Sequence, residues 1–199
     1  MNSFVKITAG EFRGRKITTP GGQTHPMGER ERLALFNMIA DYLPGAVVLD
    51  AYAGSGALGF EALSRGAKEV LFIDSSAKAE SCIIDNMMTL GYYQILGGSE
   101  APDPYKLAKE FDKGWQGGAA DVVRTKVANF QSEQRFDVIL ADPPYDRFVL
   151  AEIEHLGQFL KGAGLLVLSH PGDAPKIEGL ALQKSKKYAG ATISIYVKG

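Results

Sequence analysis

Short runs of consecutive apolar residues alternate along much of the chain with segments whose apolar residues recur every three or four positions. The first pattern predicts strands buried on both faces, and the second predicts helices covering them. The strands are AVVLD (46–50), EVLFID (69–74), DVVRT (121–125), FDVILAD (136–142) and GLLVLSH (164–170). The helices are ERERLALFNMIADYL, stopped by Pro44-Gly45, then ALGFEALSRG, SAKAESCIIDNMMTLG closed by Gly91, and one near 147–160. LALQKSKKY and ATISIYVKG, joined at Ala189-Gly190, read as an antiparallel edge pair. This order predicts an α/β fold built on a mostly parallel sheet.

Before the alternation begins, FVKITAGEFRGRKITTP (4–20) reads as a short hairpin ending at Pro20, and GGQTHPMG reads as a loop. We therefore divide the chain into a small N-terminal extension, 1–28, and a main domain, 29–199. Residues 92–120 break the rhythm. Five glycines and two prolines lie in and around YKLAKEFDKGW, which suggests a surface insertion.

Composition narrows the class. The chain has 199 residues, 45% hydrophobic and 23% charged, an ordinary globular balance. No run approaches the roughly 20 apolar residues of a membrane span. MNSFVKITAGEF lacks the apolar core of a secretory signal. A single cysteine, Cys82, excludes an internal disulfide and any multi-cysteine zinc site, so a cytoplasmic protein is expected. His25, His155 and His170 are too scattered for a metal site and read as surface or loop residues. Cys82 and the pair Met87 and Met88 read as helix residues filling the core.

The net charge of −1 conceals an uneven distribution. Residues 1–32 hold six basic and three acidic side chains, and 184–199 hold four lysines and no acid. The remaining 151 residues are acidic overall. Basic ends of this kind suit phosphate contacts. Arg13, Arg15, Lys16 and Arg30 are the first candidates, and Lys184, Lys186 and Lys187 the second.

Two motifs carry chemistry. Asp50-Ala51-Tyr52-Ala53-Gly54-Ser55-Gly56 follows the first buried strand and opens a helix. Gly54 and Gly56 permit close backbone approach, and the helix start offers free N–H groups. Asp74, ending the next strand beside Ser75, can accept hydrogen bonds from both hydroxyls of a ribose. Gly54, Gly56 and Gly59 also satisfy the dinucleotide glycine pattern, a weak match because three residues separate Asp50 from the first glycine. The D-x-x-x-G-x-G spacing is that of S-adenosylmethionine methyltransferases.

The second motif is Asp142-Pro143-Pro144-Tyr145 at the end of FDVILA. Consecutive prolines cannot continue a central strand, and they stiffen the backbone where strand ends meet a crevice. Asp142 and the Pro143 carbonyl can each accept an N–H from an exocyclic amine, aiming its lone pair at a methyl donor. Tyr145 can stack on the base. Catalysis by such a site is mainly alignment with electrostatic help.

With these motifs on one chain, the sequence resembles the class I S-adenosylmethionine methyltransferases, and within them the RsmD family of bacterial 16S ribosomal RNA guanine-N2 methyltransferases. ITAGEFRGRKITTP resembles that family's N-terminal hairpin, VVLDAYAGSGALGFEALSRGA its cofactor loop, FDVILADPPY its catalytic strand and KKYAGATISIY its closing hairpin. The resemblance implies a Rossmann-like class I methyltransferase sheet, S-adenosylmethionine as cofactor, and 16S rRNA as partner, within an assembling small ribosomal subunit. It implies no membrane partner and a monomer. Asp50, Gly54 and Gly56 would bind the methionine part and Asp74 the ribose, with Ala51, Ser55 and Ser75 also at the cofactor, and Asp142 to Tyr145 would bind the target base.

Three departures stand out. His25-Pro26-Met27 replaces the family's Arg-Pro-Thr, Lys126-Val127 replaces Asp-Ala after the third strand, and Ser169 replaces an acidic residue before His170. Adenine recognition would then rest on backbone groups. Two other functions stay open: a DNA adenine or cytosine amino-methyltransferase using the same Asp-Pro-Pro-Tyr geometry, and a non-catalytic nucleic-acid-binding protein that keeps the fold.

Overall fold

A computed structural model describes residues 3–21, 27–91, 119–188 and 190–199. A two-stranded antiparallel hairpin, β1 (Phe4–Lys6) and β2 (Lys16–Thr18), precedes a seven-stranded sheet. The sheet strands are β3 (Val47–Ala51), β4 (Glu69–Asp74), β5 (Ala119–Arg124), β6 (Phe136–Ala141), β7 (Leu160–His170), β8 (Leu180–Tyr188) and β9 (Ala191–Lys198). Their order is β5-β4-β3-β6-β7-β9-β8. The first five pair in parallel, whereas β9 runs antiparallel to both β7 and β8. The Rossmann-like sheet and its antiparallel C-terminal pair are therefore as the apolar runs predict.

Helices α1 (Glu29–Met38), α2 (Ala57–Ser64), α3 (Ala77–Leu90) and α4 (Leu150–Gly157) accompany the sheet. One core holds Val48, Val70, Val138 and Val167 with Phe36, Phe60 and Ile83. A second holds Leu49, Ile139 and Leu168 with Ile153 and Leu156 of α4. Alternate residues of the same strands enter different cores, which is why these strands read as unbroken apolar runs.

Two boundaries differ from expectation. The first helix ends at Met38, because Ile39 (φ −116°, ψ 16°) leaves helical geometry and the chain tightens into a 3-10 turn over Ala40–Tyr42. That turn keeps Ile39 and Leu43 buried. The helix expected near 147–160 is shorter, since β7 begins at Leu160 and passes a register irregularity with Ala163 at φ +60°. The insertion expected over 92–120 lies outside the described residues except Ala119 and Ala120, which belong to β5. His25 and Pro26 also lie outside them.

The N-terminal hairpin packs into the main body. Ile7, Phe12 and Ile17 are buried in the first core. Glu61 of α2, fully buried, accepts hydrogen bonds from the Thr8 N–H (2.8 Å), the Ala9 N–H (3.1 Å) and Arg65 Nε (2.9 Å). Gly10, at φ +80°, lies so close to Ser64 that a Cβ would fall 1.7 Å from the Ser64 carbonyl oxygen. Only glycine can make that approach.

Candidate active site

The sheet order reverses between β3 and β6, and in open α/β sheets ligands bind outside the carboxyl ends of strands at such a switch point. Asp50 on β3, Asp74 ending β4, and Asp142 just after β6 lie at that end. Asp50 is 1% exposed, and its Oδ2 accepts the Gly59 N–H at 2.8 Å. It holds the start of α2 against β3. Burial pushes its carboxyl well above the ordinary carboxylate range; the Gly59 bond opposes this, and the charges of Asp142 and Asp74 add to it.

The glycine loop is fixed by short hydrogen bonds. Ala53 N–H donates to the Ile73 carbonyl (3.0 Å), Gly56 N–H to the Ala53 carbonyl (2.7 Å), and Gly54 N–H to Asp74 Oδ2 (2.9 Å). The glycines differ in purpose. At Gly56 (φ +78°) a Cβ would meet Phe60 at 2.6 Å and Phe72 at 3.1 Å, so internal packing requires glycine. At Gly54 (φ +56°) the nearest atom would be the Tyr52 carbonyl oxygen at 4.0 Å. Gly54 therefore has open space beside it. Ala51 and Ser55 are buried and support the loop, whereas Ser75 is exposed.

Asp74 Oδ1 also accepts the Ser76 N–H (2.8 Å), so both oxygens are oriented while each keeps a lone pair for a ligand hydroxyl. Thr125 N–H donates to the Asp74 carbonyl (2.9 Å), which places Thr125-Lys126-Val127 immediately beyond β5 at the same crevice. Val127 is buried there and Lys126 exposed.

Across the crevice, Pro143 is buried while Pro144 and Tyr145 are exposed. Tyr145 Oη lies 2.6 Å from Ser169 Oγ, and the Ser169 hydroxyl stands near enough to Asp142 to favour its ionised form. With Asp142 ionised, one proton order suits all three: Tyr145 donates to Ser169, and the Ser169 proton faces Asp142. Burial pushes the Asp142 carboxyl up to about 6, against the opposing effect of Ser169. The sequence alone gave Ser169 no role beyond a departure from its family. Its position was readable from register, because Ala141 pairs with Leu168 and so sets Asp142 beside Ser169.

A second missed residue is Tyr52, whose φ of +61° is strained for a side chain of this size. Its hydroxyl donates to Glu152 Oε2 of α4 at 2.6 Å, tying the glycine loop to the helix that follows the Asp142 motif.

Other expectations need correction. Arg15 stays exposed, but it is also held by the protein: its guanidinium donates to the Thr89 and Leu90 carbonyls at the end of α3 and lies 5.3 Å from the Phe12 ring. Carbonyls at a helix C-terminus attract a cation. Arg32, counted among the N-terminal charges, is 1% exposed and pairs with Glu61 at 3.6 Å. Arg13, Lys16 and Arg30 are exposed, as are Lys184, Lys186 and Lys187 on edge strand β8. Lys187 pairs with Asp173 at 2.8 Å. Cys82 and Met87 are buried as expected, but Met88 is 38% exposed because it lies off the inward stripe of Ala79, Ile83, Asn86 and Leu90. His170 is buried, not superficial, and its Nε2 lies 2.8 Å from Ser194 Oγ. A cleft bordered by Glu154, Lys176, Glu178 and Gly199 lies at the opposite end of the sheet, since Val197 pairs with Leu165 at the entry to β7.

The groups present fit S-adenosylmethionine. Gly54 leaves room for close approach, Asp74 offers two oriented oxygens to a ribose, and the neighbouring carboxylates favour a ligand carrying positive charge. Among the described residues no cluster of His, Cys, Asp and Glu could hold a metal ion.

Comparison with known proteins agrees with this geometry. Residues 5–197 match the family described as conserved hypothetical protein 95. The ribosomal RNA small subunit methyltransferase D of Haemophilus influenzae is 32% identical, over 96% of this chain and 93% of that one. A solved structure of the Escherichia coli protein yhhF, 26% identical, covers 98% of each chain with a TM-score of 0.78. The N-methyltransferase NodS of Bradyrhizobium japonicum, solved with S-adenosyl-L-homocysteine, shares the fold at 13% identity and a TM-score of 0.62, covering 88% of this chain and 89% of that one. The chain belongs to the ribosomal RNA small subunit methyltransferase D family, the RsmD family, of class I methyltransferases.

Proposed function

We propose that this protein methylates the exocyclic N2 of a guanine in 16S ribosomal RNA, using S-adenosylmethionine, within an assembling small subunit. The observation that carries the reading is Asp142, set beside Ser169 and Tyr145 at the strand end next to the Gly54–Asp74 crevice. When bound, S-adenosylmethionine supplies a methyl group on a positively charged sulfur.

The protein's own groups do the aligning. Asp74 orients the ribose, and the backbone at Gly54 admits the methionine part. Asp142 and the Pro143 carbonyl accept the two N–H groups of the target amine, directing the nitrogen lone pair toward the methyl. The amine loses a proton after transfer, to ionised Asp142 or to water. Tyr145, its hydroxyl held by Ser169, stacks on the base. A guanine N2 inside a duplex cannot reach such a site, so the target base is unpaired or flipped out. Arg13, Lys16 and Arg30, exposed beside the hairpin and the first helix, contact phosphates.

The test is transfer of tritium from methyl-labelled S-adenosylmethionine to naked 16S RNA and to small-subunit particles, with Asp142→Ala as control. Label on RNA or particles that vanishes in the variant is expected. Incorporation equal to the Asp142→Ala background on every substrate would overturn the reading, as would label on DNA but never on RNA.

A further inference from the structure

The N-terminal hairpin and the cofactor loop are joined by a single buried side chain. Asn86, on α3, is 1% exposed. Its Oδ1 accepts the Thr18 N–H (2.8 Å) and the Thr18 hydroxyl (2.9 Å), and its Nδ2 donates to the Thr18 carbonyl (2.9 Å). The amide thus grips β2 as a neighbouring strand would, satisfying both main-chain groups of Thr18. The remaining Nδ2 hydrogen points at the Ser55 carbonyl (3.0 Å), between Gly54 and Gly56. An amide group has two donors and one acceptor oxygen, and here all are used. Cys82 Sγ, one turn earlier, donates to the same Thr18 carbonyl at 3.2 Å.

We infer that Asn86 is a positioning residue through which hairpin docking sets the geometry of the cofactor loop, so that cofactor affinity depends on where β2 sits. The Ser55 carbonyl is in a buried contact with Asn86 as its donor, and the next residue, Gly56, sits at φ +78° with Phe60 and Phe72 packed where a Cβ would stand. A shift of β2 drags the amide, and the loop must follow or leave a buried acceptor unpaired. Such a loss weakens a dependent equilibrium by roughly five- to a hundred-fold. Linkage is reciprocal, so bound cofactor in turn tightens the hairpin. This rests on S-adenosylmethionine as the ligand of the Gly54 loop, but not on the identity of the RNA.

The test uses the full chain and S-adenosyl-L-homocysteine. Calorimetry gives its Kd for wild type, Asn86→Asp and Thr18→Val, with thermal unfolding run alongside. Asn86→Asp keeps shape but loses both donors, and Thr18→Val loses one hydroxyl on the hairpin alone. Expected are an affinity loss of about tenfold or more for Asn86→Asp and a few-fold for Thr18→Val. Hydrogen exchange on wild type supplies a readout needing no variant: the Thr18 amide should exchange more slowly when ligand saturates. Folded Asn86→Asp binding within twofold of wild type, or Thr18 exchange unchanged by ligand, would overturn the inference. Failure of wild type to bind the ligand at all would instead overturn the cofactor reading on which it stands.

Discussion

Replacing Asp142 with Asn should abolish methyl transfer while making the protein more stable at neutral pH. Burial raises this carboxyl from its ordinary 3.8 to about 6. Between those two values the folded protein holds a proton that the unfolded chain has released, so this residue's contribution to stability falls as pH rises through the window. At pH 7.5 the full cost is present, about 3 kcal/mol at 1.36 kcal/mol per pH unit. Partial solvent access at the crevice reduces this, leaving an expected gain of about 1–2 kcal/mol for Asp142→Asn. Asn keeps the volume and an acceptor for Ser169. Urea unfolding followed by circular dichroism at pH 7.5 and pH 4 checks it. The variant midpoint should lie higher by roughly 0.5 M at pH 7.5, given m-values of about 2–3 kcal/mol/M, and coincide with wild type near pH 4. A variant less stable than wild type at pH 7.5, or an equal gain at both pH values, would refute the titration argument.

The same carboxylate predicts that kcat/KM of wild type falls tenfold per pH unit below about 6, since protonated Asp142 no longer offers the charged acceptor that aligns the amine for attack. A profile flat down to pH 5 would contradict this. Gly54→Ala and Gly56→Ala should fail differently. The first, with open space around its Cβ, should cost only about 1 kcal/mol in the left-handed region but lose S-adenosyl-L-homocysteine binding. The second adds a collision with Phe60 and should cost about 2–5 kcal/mol, measured by urea unfolding. Glu61→Ala leaves Arg32 buried without its ion-pair partner and two hairpin N–H groups unpaired, and should destabilise by about 3–5 kcal/mol in the same assay.

The parallel core was legible because each central strand is buried on both faces. EVLFID coincides with β4, residues Glu69–Asp74, and FDVILA with β6, residues Phe136–Ala141. The glycine loop and Asp-Pro-Pro-Tyr were legible because their backbone demands are written in residue type. What escaped was the use of polar groups inside the fold. Arg32 was counted only as an N-terminal charge and Glu61 is the lone acid on a largely apolar helix; their pairing shows only once the hairpin returns onto α2. The bonds of Arg15 to the Thr89 and Leu90 carbonyls escaped because that helix lies 75 positions away in the chain. Asn86 left a trace: it is the one amide on a stripe otherwise made of Ala79, Cys82, Ile83, Met87 and Leu90. A polar residue at a helical core position needs partners, and here they are Thr18 and Ser55.

The central claim is that this site places a methyl group on guanine N2 of 16S RNA. Its most direct test is to react methyl-labelled S-adenosylmethionine with unmodified small-subunit particles, digest the RNA to nucleosides and identify the labelled product by mass spectrometry. The account predicts N2-methylguanosine at one position of 16S RNA, absent with Asp142→Asn. Label found instead in an adenosine or cytidine derivative, or in N2-methylguanosine formed equally well by Asp142→Asn, would contradict it.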